Sequence, residues 1–416
     1  MLTSTNRLGH GGCLAFLSTG IVKIAWSAAP AVSACLLLGL SIDAPAGAPE
    51  TPVARATLQA AIDEKRLAGA VVLIEDREKI LDFEAIGFSN LASRSPMRKD
   101  ALFWIASTSK PFVATAVMML VEEGRLDLDA PVTTWLPGFT PVLVPPQGQP
   151  GTPTHPSITL RQLLSHTSGL PGGSPEETPT LDGTPLAERV TGYGKLTLFF
   201  EPGAGFSYGN ADVNTAAYIV EKVSGMPYEV FLRQRVLDPL GMKDTTFCPS
   251  ATQLKRLATS YIAGQDGRTL IETPLLHLRY PLDDCAHRYP IPAGGLFSTA
   301  SDLARFARMF LNGGALEGRR YVSAASVDTM THNVVPEAAR RGIPQSAPPA
   351  NVGYGLGWGA SLNGDYFHPG TAMTDIRIDP TRRIATVLLF QLSTDDSFML
   401  RDALLKASDA RYAIHH

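Results

Sequence analysis

Apolar positions along the 416-residue chain fall into blocks of different period. Thr57 to Leu67 has helical spacing and is closed by Gly69. Two strand-like runs follow, Ala70–Ile74 and Ile80–Phe88, separated by the charged turn Glu75-Asp76-Arg77-Glu78-Lys79. At the far end Leu356–Leu362, Thr374–Ile378 and Ile384–Leu392 read as strands, ahead of a final helical pattern over Ser397–Tyr412. Short connections between these terminal strands predict antiparallel pairing. The middle differs, with helical patterns at Phe112–Glu123, Ala211–Val223, Tyr228–Val236 and Ser301–Leu311. Gly124, Gly225 and Gly313 sit at C-cap positions, and Thr299 with Asp302 is spaced for a capping box. The pattern predicts an α/β fold of the α+β type: an antiparallel sheet formed by both chain ends, flanked by helices, with a mostly helical insertion. The sheet subdomain is expected over 50–106 plus 320–412 and the helical subdomain over 107–319, within a domain spanning 47–412. Pro-rich loops, notably Pro141–Pro156 and Pro336–Pro349, fill the rest.

The first residues stand apart. Residues 1–42 hold Arg7 and Lys23 but no acidic residue, and Ile24–Ile42 is mostly apolar before the small, Pro-rich Asp43-Ala44-Pro45-Ala46-Gly47-Ala48. That order reads as a signal peptide over 1–46, cleaved after Ala46, and predicts a periplasmic or secreted protein. A lipoprotein box at Val32-Ser33-Ala34-Cys35 is the alternative, though Leu36-Leu37-Leu38 carries the apolar run past it. A membrane anchor is a third reading, since a span needs ~20 apolar residues.

Composition narrows the class. With 36 Lys plus Arg against 39 Asp plus Glu, the net charge of −3 offers no electrostatic case for a nucleic-acid or anionic-membrane partner. At 44% hydrophobic residues the chain is globular rather than disordered. Cys13, Cys35, Cys248 and Cys285 match no zinc spacing, no H-E-x-x-H is present, and His415-His416 is a tail pair. No metal or cofactor is expected, and the partner is a small molecule. After export Cys248 and Cys285 could form a disulfide.

Three separated motifs carry chemistry. In Ser107-Thr108-Ser109-Lys110, an S-x-x-K ahead of an apolar helix, the spacing of three puts Ser107 and Lys110 on one face. A serine hydroxyl becomes nucleophilic when a neighbour takes its proton or stabilises its alkoxide. A buried lysine does either, and the helix N-terminus adds positive potential. Pro111 disfavours helical geometry at Lys110 and is tolerable only in the first turn. The second motif is Tyr208-Gly209-Asn210, after the turn Glu201-Pro202-Gly203. A tyrosine whose pKa is depressed by a nearby ammonium would act as general base. Asn210 would hold Lys110 and orient a substrate carbonyl. The third is His368-Pro369-Gly370-Thr371 at a strand end, where small residues admit a substrate backbone. The Thr371 and Ser107 N–H groups would form an oxyanion hole. Each motif alone is unremarkable: a solvated helix start, a turn, and a core-satisfied or surface histidine.

In this order, S-x-x-K, Y-x-N and H-x-G resemble the penicillin-recognising serine hydrolases. More closely they resemble the class C β-lactamase-like family, which includes family VIII carboxylesterases and D,D-peptidases. The likeness runs from about Leu58 to Leu392 and includes three further segments. Leu163-Leu164-Ser165-His166-Thr167-Ser168-Gly169-Leu170 is similar to the family's L-L-x-H-T-S-G-L loop, read here as a structural turn near the site. Gly294-Gly295-Leu296-Phe297-Ser298-Thr299-Ala300-Ser301-Asp302 matches G-G-L-x-S-T-A-x-D, and Gly353-Tyr354-Gly355-Leu356-Gly357-Trp358 matches G-Y-G-L-G-W. The resemblance implies a β-lactamase/transpeptidase-like fold, Ser107 as acylated nucleophile, Lys110 as its activator and Tyr208 as proton shuttle. It implies that Asn210, His368, Gly370 and Thr371 contact substrate. The implied activity is exported cleavage of an ester or amide bond through a Ser107 acyl-enzyme. The alternatives are a β-lactamase or D,D-carboxypeptidase, and a penicillin-binding sensor that acylates without turnover.

Two departures bear on substrate. Class C β-lactamases carry K-T-G at the third motif, whereas a histidine of pKa ~6.5 stands here and weakens recognition of a carboxylate at neutral pH. Pro369 cannot donate to a strand ladder, which suggests an edge position. A rival nucleophile also exists, because Gly205-Phe206-Ser207-Tyr208-Gly209 spells the G-x-S-x-G elbow of α/β-hydrolases. That elbow needs a strand running into the serine, and Glu201-Pro202-Gly203 interrupts any such run. His10-Gly11-Gly12 imitates the matching oxyanion motif but falls in the signal segment.

Overall fold

The computed structural model describes residues 51–412 apart from 146–150, 178–179, 267–268, 275–277, 341–351 and 362. The segment expected to be a signal peptide, with His10, Cys13 and Cys35, the tail histidines, and parts of both Pro-rich loops lie outside the described residues.

The two ends of the chain build one eight-stranded antiparallel sheet. Its strands are β1 (Gly69–Glu75), β2 (Ile80–Asn90), β3 (Ser95–Pro96), β4 (Val352–Tyr354), β5 (Gly359–Ser361), β6 (Tyr366–Gly370), β7 (Thr374–Asp379) and β8 (Ile384–Leu389). The order is β4-β5-β6-β7-β8-β1-β2-β3, so early and late strands meet where β8 pairs with β1, with Val71 opposite Leu389. Every residue of β1 is buried, which its unbroken apolar run requires. Val71 and Leu73 point into one core with Val387 and Leu389, packed on α2 (Lys110–Glu122) and α5 (Ala300–Leu311). Ala70, Val72 and Ile74 point to the opposite face, covered by α1 (Val53–Asp63) and by Leu400 and Leu404 of α6 (Asp395–Tyr412). Between the sheet halves run α3 (Leu160–Leu164) and α4 (Asn210–Ser224), which share the first core with α2. Trp358 is fully buried there, its ring 4.8 Å from Phe310 and 5.3 Å from Tyr366. Among the described residues no helix is long and apolar enough to cross a membrane.

Several boundaries differ from the expected ones for identifiable reasons. Glu75, expected to open a charged turn, is the fully buried last residue of β1, because Arg308 of α5 binds its carboxylate. Of the expected strand Leu356–Leu362, Gly359–Ser361 forms β5, whereas Leu356–Trp358 is a tight turn between β4 and β5, with Gly357 at φ +72°. The helix from Tyr228 ends at Leu232 and continues as a π-helical turn over Arg233–Leu237. Thr299 caps α5 by accepting from the Asp302 N–H, but the Asp302 carboxylate turns to Thr245 and the Asp244 N–H, leaving half a capping box. Cys248 and Cys285 are bonded, with Cα atoms 5.7 Å apart.

Strand β6 is interior to the sheet, not at its edge. Its ladder to β5 nevertheless stops at Phe367, so His368, Pro369 and Gly370 pair only with β7. Proline is accommodated where that flank has run out of partners. Gly370 has no room for a side chain, since a Cβ there would collide with the Ile105 carbonyl oxygen and the Thr374 hydroxyl. Gly370→Ala is therefore expected to destabilise the protein by about 1–3 kcal/mol through overpacking, read as a lowered thermal midpoint. An unchanged midpoint would show that the strand does not press on the segment before Ser107.

Candidate active site

The S-x-x-K motif lies in a strained turn. Phe103–Trp104 pairs with Phe297–Ser298, and the chain then turns through Ala106, which adopts φ +47° without being glycine. A left-handed alanine costs on the order of 1 kcal/mol and persists only when its surroundings impose it. Here the Thr374 hydroxyl donates to the Ile105 carbonyl at 2.9 Å, Ser109 Oγ donates to the Ala106 carbonyl at 2.6 Å, and the Thr108 hydroxyl donates to the His368 carbonyl at 3.1 Å. Ser107 sits in the short 3-10 turn Ala106–Ser109 that runs into α2, and Pro111 falls in the first turn of α2 as required.

Lys110 is 0% exposed. Its ammonium donates to Ser107 Oγ at 3.1 Å, to Asn210 Oδ1 at 3.1 Å and to the Ala293 carbonyl at 2.9 Å. Burial pulls its pKa down to about 7, opposed by the Asp212 carboxylate. Each acceptor is delivered by a different element. Asn210 is the first residue of α4, and its N–H donates to the Gly172 carbonyl at 2.7 Å. Ala293 is fixed by its own N–H, which donates to Asn214 Oδ1 at 3.1 Å, one turn further along α4. Tyr208 is hydrogen-bonded to Ser107, and its ring centroid lies 4.8 Å from Lys110 Nζ.

Tyr208 departs from expectation in one respect. Burial raises its pKa instead of depressing it, and the hydrogen bond with Ser107 only partly opposes that. Tyr208 is therefore a protonated donor at neutral pH, not a phenolate base. His368 departs as well. It is 1% exposed, its Nδ1 lies 3.0 Å from the Pro369 carbonyl and its Nε2 lies 3.0 Å from the Tyr354 hydroxyl. A carbonyl only accepts, so Nδ1 carries the proton and Nε2 accepts from Tyr354. Burial, with Lys110 nearby, pushes its pKa well below the usual histidine range. His368 is thus neutral and inward-facing, and supplies no charge to a substrate.

The structure thus brings Ser107, Lys110, Tyr208 and Asn210 into one hydrogen-bonded group, and Gly370 packs beside them on Ile105 and Ala106. Thr371 follows Gly370 and is exposed, at the start of a turn whose Ala372 and Met373 are buried. Ser207 does not share the group: no strand leads into it, and both ring nitrogens of His368 are engaged elsewhere. Sequence reasoning missed Asp212, Asn214, Ala293 and Tyr354. Asp212 and Asn214 carried a signal, as polar residues on the buried face of an otherwise apolar helix. Ala293 acts through its backbone and carried none.

The sheet and its helices form a β-lactamase/transpeptidase fold. Residues 54–411 match the Beta-lactamase family, and the chain belongs to that family of hydrolases. It is 31% identical over 373 residues to Protein Rv1367c of Mycobacterium tuberculosis, covering 82% of this chain and 90% of that one. It is 33% identical over 273 residues to Esterase EstB of Burkholderia gladioli, covering 60% and 67% of the two chains. The solved structure of EstCE1, described as a hydrolase with promiscuous acyltransferase activity, is similar with a TM-score of 0.70 at 26% identity, covering 85% of this chain and 97% of that one. Its relatives also include penicillin-binding proteins.

A lysine base is active only when deprotonated, that is, above its pKa in the folded protein. The rate at which a fluorophosphonate labels the protein should rise with pH through about 7 and level off above it. A rate still rising steeply near the ordinary lysine pKa of ~10.4 would show that burial does not tune Lys110.

Proposed function

We propose that this chain is an exported serine hydrolase that cleaves small carboxylic esters through an acyl-enzyme on Ser107. The observation that carries the reading is the buried Lys110 amine, 3.1 Å from Ser107 Oγ and with its pKa drawn down to about 7. A lysine so placed is substantially neutral at physiological pH and can accept the serine proton.

In acylation the Ser107 O–H bond breaks, its proton passes to Lys110 Nζ, and Oγ bonds to the ester carbonyl carbon. The N–H groups of Ser107 and Thr371 hold the resulting oxyanion. Tyr208 gives its phenolic proton to the departing alcohol oxygen, and the Lys110 ammonium restores it. Water then repeats the path in reverse, losing a proton to the Lys110–Tyr208 pair while its oxygen attacks the acyl carbon. Ser107 Oγ leaves and regains its proton. Asn210 fixes the lysine and offers its amide to the substrate carbonyl.

Neutral His368 favours esters or other amides over β-lactams, whose carboxylate a cation at this position would recognise. The esterase relative EstB agrees with that preference. Export is supported by the acid-free apolar segment before Asp43 and by the Cys248–Cys285 disulfide, a bond typical of oxidising compartments.

The test is a panel of p-nitrophenyl esters, a chromogenic cephalosporin and a D-Ala-D-Ala peptide on the mature protein. Short esters should turn over under multiple-turnover conditions, with kcat/KM lowered roughly 10³-fold or more in Ser107→Ala and retained in Ser207→Ala. Labelling by a fluorophosphonate that survives Ser107→Ala and vanishes with Ser207→Ala would overturn the assignment. A stoichiometric burst without turnover would favour the sensor.

A further inference from the structure

Asn214 stands one turn after Asn210 on α4, so the two amides share one face of that helix. Asn210 touches Lys110 directly, whereas Asn214, fully buried, holds the residue that supplies another of the lysine's acceptors. That residue, Ala293, lies in the turn Ile291–Gly295, which belongs to no helix or strand. The turn is set by bonds from the Gly294 and Gly295 N–H groups to the Ile291 carbonyl and by surrounding side chains. Trp104 Nε1 donates to the Gly294 carbonyl at 2.7 Å, and Arg189 donates to the Pro290 carbonyl at 2.5 Å. Ala293 itself is gripped at both ends, by Asn214 Oδ1 on its N–H at 3.1 Å and by Lys110 Nζ on its carbonyl at 2.9 Å.

The Asn214 amide has a fixed orientation. The Ala293 N–H is a donor, so the carbonyl oxygen of the amide must face it, and Nδ2 donates in turn to the Tyr193 hydroxyl at 3.1 Å. Tyr193, fully buried at the end of the helix Leu186–Tyr193, donates to Glu177 Oε1 at 2.5 Å. Burial, with the Glu177 carboxylate beside it, pushes the Tyr193 pKa up, so the hydroxyl keeps its proton. Glu177 also accepts from the Ser174 N–H at 3.2 Å, close to the Gly172 carbonyl that anchors Asn210. Packing alone would be met by an apolar side chain, as it is at the buried Val213, Ala216 and Ala217 of the same helix. A polar chain taken out of water is costly unless its members bond one another, and this one ends at the residue whose carbonyl receives Lys110.

We propose that Asn214, locked by Tyr193 and Glu177, is a positioning residue for Ser107 acylation, holding the Ala293 carbonyl that aims the Lys110 amine. This rests on the reading of Lys110 as the base. A neutral amine has two N–H groups and one lone pair. With Asn210 Oδ1 and the Ala293 carbonyl taking the two N–H groups, the lone pair is left facing Ser107 Oγ, 3.1 Å away. One face of α4 therefore fixes both acceptors, the first directly and the second through Asn214. Without Asn214 the carbonyl is loosened, the amine can turn, and its lone pair leaves the line of proton transfer.

The experiment measures p-nitrophenyl ester hydrolysis and fluorophosphonate labelling well below each thermal midpoint. It compares wild type, Asn214→Leu, Asn214→Asp, Tyr193→Phe, the Asn214→Leu/Tyr193→Phe double variant and Ser107→Ala. In Asn214→Leu kcat and kcat/KM should fall together by roughly 10–100-fold with KM little changed, because only the proton-transfer geometry is lost. Tyr193→Phe, which keeps the ring and removes the lock, should lower kcat roughly 3-fold. The double variant should be no slower than Asn214→Leu, since Tyr193 acts through Asn214. Asn214→Asp, which offers the same acceptor to the Ala293 N–H, should recover most of the rate. Wild-type kcat in Asn214→Leu, or a raised KM at unchanged kcat, overturns the proposal. So does an Asn214→Asp variant as slow as Asn214→Leu, or a double variant slowed by the product of the two single effects. If Asn214→Leu does not fold, Tyr193→Phe carries the comparison, and a wild-type kcat there overturns the proposal. Labelling that persists in Ser107→Ala overturns the proposed function instead, so the two failures are distinguishable.

Discussion

The site depends on one unfavourable act, the removal of the Lys110 amine from water. A lysine left in solvent beside Ser107 would be a permanent cation and could not take a proton. Buried among apolar side chains of α2, and given three oxygen acceptors, it is held at the point where both of its protonation states are accessible. The desolvation cost is met by acceptors from three separate parts of the chain: the nucleophile turn, the start of α4, and the backbone at Ala293. The surrounding architecture serves to bring these three together.

That requirement accounts for the local strain. Ala106 takes a left-handed conformation because β6 and β7 grip the Ile105 carbonyl, the Thr108 hydroxyl and the Ala106 methyl at once. Glycine at 370 lets the strand come that close. The sheet strands beneath are formed by opposite ends of the chain, so the site assembles only when those ends have met at the β1–β8 pairing. The Leu163–Leu170 loop fixes the Tyr208 loop through backbone bonds and places His166 and Ser168 against Asp212.

The sheet was legible in the sequence wherever period-2 or continuous apolar runs were long enough, as at β1, β7 and β8. The short strand β4 and the start of β5 were not, because Gly353, Gly355 and Gly357 break the pattern at positions where tertiary contacts, not propensity, impose the turn. Glu75 was misplaced because its partner Arg308 is more than two hundred residues away and no local rule reveals it. At the site, residue identities were legible from motif order, whereas protonation was not. Tyr208 was expected to be depressed by an ammonium and His368 to keep the usual histidine range, yet burial that only the folded arrangement creates pushes Tyr208 up and His368 down. The Ala293 carbonyl, like any backbone group, leaves no mark in a sequence.

The central claim is that Lys110 titrates near neutrality in the folded protein. With ¹³C-labelled lysine, the Cε signal of Lys110, identified by its absence in Lys110→Arg, can be followed against pH by NMR. A midpoint at about 7 is predicted. A midpoint in the ordinary lysine range, ~10.4, would contradict the account.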